Sequence, residues 1–115
     1  MHEVIDLPEV EFAIDDSIFI KQMLLERAGT YVPQHSHKYD HTSMLAVGSL
    51  RAWKDGALLG DFKAPVPISI KAGCKHTFMS LEPNTVVYCI HNISREGYAE
   101  IQEEHEHVSP DILGA

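Results

Sequence analysis

Three histidines, His35, His37 and His41, fall within seven residues, in the stretch Gly-Thr-Tyr-Val-Pro-Gln-His-Ser-His-Lys-Tyr-Asp-His-Thr-Ser-Met-Leu-Ala-Val-Gly from Gly29 to Gly48. Neutral imidazole is a common ligand of zinc, iron, nickel and copper. On a β-strand the side chains of His35 and His37 would share a face, because strand side chains alternate with a period of two. A third imidazole after a short turn, and a fourth, His76, on a later predicted strand, could converge on the same cation. The expected chemistry is a metal centre inside a small β-barrel, with His35, His37, His41 and His76 as its ligands.

Four neutral imidazoles would leave the full divalent charge on the ion. Such a centre favours an anionic or polarisable oxygen ligand, such as a carboxylate, an enolate or hydroxide, and lowers the pKa of bound water. The plainer reading is that these histidines are solvated loop and strand residues. A general base would have to come from elsewhere, and the candidates are Tyr39, in the turn between ligands, and His91, on the strand after His76. Asp40 could orient an imidazole through its second nitrogen. Cys89 shares a strand face with His91.

The elements that must hold these residues are short strands. Val10 to Ile14 is a brief one, after which Asp15-Asp16-Ser17 is a turn signal. Ile18 to Glu26 is the first long strand, and Lys21 and Arg27 upon it are candidates to face a barrel interior. Ala28-Gly29 breaks it before Tyr31 to His37, where Pro33 suggests an edge. Thr42 to Val47, Leu50 to Lys54 and Ala57 to Phe62 follow, the last two joined by the hairpin pair Asp55-Gly56. Pro65 and Pro67 precede Ile68 to Lys71, and Lys75 to Leu81 and Thr85 to Asn92 flank Glu82-Pro83-Asn84. Strands with turns every eight to twelve residues indicate a sandwich or barrel. From Ser94 the pattern fades into an acidic tail or one short C-terminal helix.

The spacing Gly-x5-His-x-His-x3-His-x6-Gly, carried by Gly29, His35, His37, His41 and Gly48, resembles the first motif of the cupins. His41 stands where that family usually has a glutamate. Their second motif is matched at Gly73 and His76, while Pro65, Lys71 and Ser80 occupy its other positions. The resemblance spans roughly Ile18 to Asn92. One His-x-His is unremarkable in a chain with 8 histidines among 115 residues, and His105-x-His107 is a second. Three further residues at fixed offsets reduce chance to the order of a few in ten thousand.

The resemblance implies an all-β cupin jelly-roll barrel over residues 18–93, with an N-terminal arm, 1–17, that exchanges in a homodimer, and a tail over 94–115. It also implies one divalent transition metal (Fe, Zn, Ni or Mn) and a pocket filled out by Leu45, Val47 and Phe78. The function expected is that of a metal-dependent enzyme of dioxygenase, isomerase or lyase type. Its substrate would be a small oxygen-rich organic acid, enol or sugar-like compound. The alternatives are a non-catalytic cupin whose metal holds a small molecule or stiffens the barrel, and an assembly module.

Composition bounds these readings. The length suits one domain, and 44% hydrophobic with 23% charged residues is ordinary for a globular chain. A net charge of −8 argues against nucleic acid or an anionic membrane as partner. No apolar run is long enough to span a bilayer, and no signal peptide is evident at the N-terminus. Cys74 and Cys89 do not make a disulfide framework, so a cytoplasmic location and two small buried thiols are expected. Trp53 reads as packing or an interface anchor.

Overall fold

Alternation sets the architecture. In the computed structural model, which describes residues 5–35 and 41–92, the described strands are nine. They are β1 (Glu9–Asp15), β2 (Ile18–Leu25), β3 (Tyr31–His35), β4 (His41–Val47), β5 (Ser49–Lys54), β6 (Ala57–Lys63), β7 (Val66–Ile70), β8 (His76–Ser80) and β9 (Thr85–Asn92). On β2 every second residue, Phe19, Met23 and Leu25, is buried, with half-buried Lys21 in the same alternating set. Leu50 and Ala52 on β5, and Val87 on β9, follow the same rule. Each strand therefore turns one face inward, and burying those faces requires a second sheet.

The strands form a five-stranded sheet, β1-β2-β9-β4-β7, and a four-stranded sheet, β3-β8-β5-β6, antiparallel throughout. Neighbours drawn from distant parts of the chain, in two facing sheets of this order, make an eight-stranded jelly roll to which β1 adds an edge. The core between the sheets is built from Met23, Leu25, Leu45, Leu50, Phe78 and Val87, together with Val32, Ala52, Ile68 and Ile70. No helix long and apolar enough to cross a membrane occurs among the described residues.

Every predicted strand has a counterpart among the described residues, Thr85–Asn92 with the expected bounds and the others with shifted ends; positions 36 and 37 of the third lie outside those residues. β7 begins at Val66, so Pro67 lies inside it; β7 is an edge strand, where a missing N–H costs little, and Pro33 sits on the edge strand β3 for the same reason. The Asp55-Gly56 hairpin turn has positive φ at both residues (50° and 81°), as a two-residue turn of this twist requires. Arg27 is not on β2, which ends at Leu25; it lies in the following loop, where its carbonyl accepts hydrogen bonds from Thr30 Oγ1 (2.7 Å) and Ser80 Oγ (2.7 Å). The expected C-terminal helix and the His105-Glu-His107 tail lie outside the described residues.

One inward expectation is overturned. Leu45 and Phe78 are buried, but Val47 is 53% exposed. The register of β4 against β9 slips between Leu45 and Val47, opposite Val87 and Val86 respectively. The extra residue reverses the alternation beyond it and turns Val47 out of the barrel.

Candidate functional site

His76 opens β8 and is 2% exposed, in the same alternating set as Phe78 and Ser80, both 1% exposed. Its ring lies against that of Phe78, centroids 5.4 Å apart. The neighbouring strand β3 pairs Val32 with Phe78 but His35 with His76, so one extra residue is accommodated between them. Val32 and His35 are an odd number of positions apart and would face opposite sides of a regular strand. The bulge, at Pro33 and Gln34, brings position 35 back into line with His76.

The facing sheet contributes two more histidine positions at this end. His41 opens β4 in register with buried Ile70 of β7, and His91 of β9 is in register with buried Phe19 of β2. Strands from both sheets thus bring positions 35, 41, 76 and 91 to one end of the barrel. The side chains of His35, His41 and His91 lie outside the described residues, as do His37, Tyr39 and Asp40 entirely. Among the described residues no three His, Cys, Asp or Glu side chains converge. What the structure offers a metal is one buried imidazole, His76, with position 35 in register beside it. A donor set of imidazoles on an apolar wall suits a divalent transition metal.

Beside His76 a small, shallow cleft, partly open to solvent, runs between the β5–β6 hairpin and the β7–β8 loop. Its apolar wall is formed by Trp53, Leu59, Ile70 and Phe78, and its floor reaches His76. Lys54, Lys71 and Cys74 stand along it. The two sides of its rim are tied together: Asp55 N–H donates to Lys75 O (2.7 Å) and Lys75 N–H donates to Asp55 Oδ1 (2.9 Å). Trp53 is therefore a cleft residue as well as a packing one. Lys54 was legible in principle, since Leu50, Ala52 and Lys54 share an alternating set and Lys54 is in register with His76.

Other charges lie away from the cleft. Arg51 donates to Asp61 (2.7 Å), which raises the guanidinium pKa and holds that carboxyl below its usual range. Lys63 (2.8 Å) and Ser49 (2.6 Å) donate to Glu82 Oε2, and these bonds, that of Lys63 foremost, lower the Glu82 pKa. Neither Cys74 nor Cys89 is in a disulfide among the described residues; both are half-buried rather than buried as expected, and Cys89 Sγ lies 3.6 Å from the Ser43 hydroxyl.

No protein-family model matches this sequence, and no curated protein matches it either. The fold, in contrast, recurs among solved structures. KdgF from Halomonas sp. superimposes with a TM-score of 0.66 over 77% of this chain and 81% of that one, at 14% identity. An RmlC-like cupin with a double-stranded β-helix fold from Methanocaldococcus jannaschii gives 0.63 over 74% and 79%, also at 14% identity. A cupin-2 domain protein from Shewanella frigidimarina gives 0.58 over 75% and 79%, at 20% identity. Identities this low carry the architecture and nothing finer. Strand order, inward alternation and these superpositions agree: the chain folds as a small cupin domain.

Proposed function

We propose that the protein is a metal-dependent cupin enzyme acting on a small oxygen-rich organic compound, with His35, His37, His41 and His76 holding one divalent ion of iron, zinc, nickel or manganese. The observation that supports this most is the bulge in β3, which spends a residue of regular pairing to set position 35 opposite buried His76. A bulge is commonly placed next to a site, where it re-aims a side chain. Position 41, in register with Ile70 on the cleft wall, adds to it.

The bound ion would supply Lewis acidity, or redox chemistry if it were iron. The chain's own contribution is a dry wall of Ile70 and Phe78, which keeps bulk water from one side of the cleft, and an open mouth for the ligand. Tyr39 and His91 are the groups proposed to move a proton. Reaction types open to such a site are dioxygenation, isomerisation and elimination. A cytoplasmic homodimer, exchanging its arm of residues 1–17, belongs to the same reading; β1 lies at the edge of its sheet, where a second copy could pair.

The test is elemental analysis of untagged protein beside a His37→Ala, His76→Ala variant, both purified without chelator. Near-stoichiometric metal that disappears in the variant is the expected result. Iron would direct attention to oxygen chemistry, whereas zinc that resists chelators and raises Tm strongly would favour a structural centre. Failure of the wild type to hold or take up any metal would overturn the proposal.

A further inference from the structure

The outer faces of the two sheets are unlike. On the four-stranded sheet the outward set includes Arg51 and Asp61, bonded to each other, and Lys63, bonded to Glu82. That is the polar face an antiparallel sheet turns to water. On the five-stranded sheet the outward set of β2 contains Ile18, Ile20 and Leu24, all half-buried, since Phe19, Met23 and Leu25 point inward. Register carries the same face to Tyr88 and Ile90 on β9 and to Met44 on β4. Among the described residues no charged side chain faces outward from β2, β9, β4 or β7. The polar groups there, Gln22, Thr42 and Ser69 among them, are neutral, and Tyr88 OH donates to Gln22 Oε1 (2.9 Å). Charge returns only on β1, whose outward Glu9, Glu11 and Asp15 line one margin of the face.

We infer that this face is the interface with a second copy of the chain, the two five-stranded sheets stacking across a twofold axis. Four strands at about 4.8 Å spacing, and the eight residues of β2 at about 3.3 Å each, span roughly 500 Å². Two such faces bury about 1,000 Å², the size at which an interface becomes specific. An uncharged centre holding tyrosine and methionine, with charge confined to the rim, is the anatomy of an interface core. A copy of the same face leaves no ion buried, whereas an acidic or basic partner would meet no counter-charge at its centre. The order β1-β2-β9-β4-β7 puts β9 in the middle. A twofold axis perpendicular to the strands would set Glu9, Glu11 and Asp15 over the same three acids of the second copy. An axis parallel to the strands sets them over β7 of the second copy instead, and lays β9 upon β9. Repulsion between like charges selects the parallel axis, so Ile90 faces the same residue of the second copy. This interface needs neither the metal nor pairing at the β1 edge, and so goes beyond the enzyme proposed above.

Sedimentation equilibrium of the full chain from about 1 to about 100 μM, in metal-loaded and chelator-stripped samples of measured metal content, is the test. A dimer is expected in both samples. Ile90→Glu and Ile90→Lys each set two like charges against one another at the axis and should weaken association about a hundredfold or more. Mixed in equal amounts, the two variants should pair with each other and restore the dimer. Ile20→Glu, in register with Ile90 one strand away, should also dissociate it. Tyr31→Glu, on the outer face of the other sheet, should leave it unchanged. All these positions are half-buried or exposed, so the variants should fold, and circular dichroism would verify it. A wild type still monomeric at about 100 μM would overturn the inference. So would a dimer that survives Ile90→Glu or Ile20→Glu, which would be held at some other surface such as the β1 edge, or an Ile90→Glu and Ile90→Lys mixture that stays monomeric. A dimer in a protein that takes up no metal would sink the metal centre alone. A monomer holding stoichiometric metal would sink the interface alone.

Discussion

Gly48 and Gly29 bracket the histidine stretch, and the structure assigns them different costs of substitution. Both have positive φ, +88° and +84°. A Cβ on Gly29 would meet nothing within 4 Å, so Gly29→Ala carries only the left-handed backbone penalty of about 1–2 kcal/mol. A Cβ on Gly48 would overlap Thr85 Oγ1 and lie 2.9 Å from Thr85 Cα. Thr85 is fully buried and its hydroxyl donates to Glu82 O (2.9 Å) and Ser49 O (3.3 Å), so it has little freedom to retreat. Overpacking of this kind adds about 1–3 kcal/mol. Gly48→Ala should therefore cost about 2–5 kcal/mol, a fall in Tm of roughly 8–20 °C for a chain of this size. Urea denaturation of both variants measures the two terms separately. Adding Thr85→Ala to Gly48→Ala removes the Oγ1 overlap and should recover part of the loss, which a double-mutant cycle would read as coupling. If Gly48→Ala and Gly29→Ala destabilise equally within about 0.5 kcal/mol, the close approach of β9 to the β4–β5 turn is not what demands the glycine.

The loop that carries Gly29 is clamped by Ser80, whose hydroxyl accepts from Thr30 N–H (2.9 Å) and donates to Arg27 O (2.7 Å). Ser80→Ala removes the side-chain partner of a buried N–H and should cost about 1–3 kcal/mol in urea denaturation, while Lys71→Ala, on the surface, should cost almost nothing. The Glu82 pKa is lowered in the folded state, so its stabilising share is complete above the ordinary glutamate range and is lost as pH falls through the folded value. Stability measured across that acid limb should fall less steeply in Glu82→Gln than in wild type, and identical slopes would show that the bonds from Lys63 and Ser49 do not bias the titration.

Strand existence was readable because most inward faces alternate regularly and turn residues separate them. Asp55-Gly56, and the prolines that mark the edges at Pro33 and Pro67, were readable for local steric reasons that need no tertiary information. What sequence could not show was where a strand carries one residue too many. A bulge is decided by the pairing of two strands far apart in the chain, here β3 with β8 and β4 with β9, and leaves no local signature as firm as a glycine or a proline. Val47, expected inside, is outside for that reason.

The same ambiguity bears on the histidines. Period-two reasoning places His35 and His37 on one face, but says nothing about which face until the register is known. β3 ends at His35 among the described residues, and only its bulged pairing puts position 35 opposite His76. A regular strand would have put Gln34 there instead. Motif spacing singles out position 35, while the physical cause of its alignment with His76 is an irregularity that the spacing conceals. Deleting Gln34 would remove the extra residue, so that regular counting along β3 sets Val32 opposite Phe78 and His35 opposite His76 without a bulge. Core burial of Val32 and Phe78, 3% and 1% exposed, anchors that register, so the shortened strand would keep both its core pairing and the alignment of position 35 with His76.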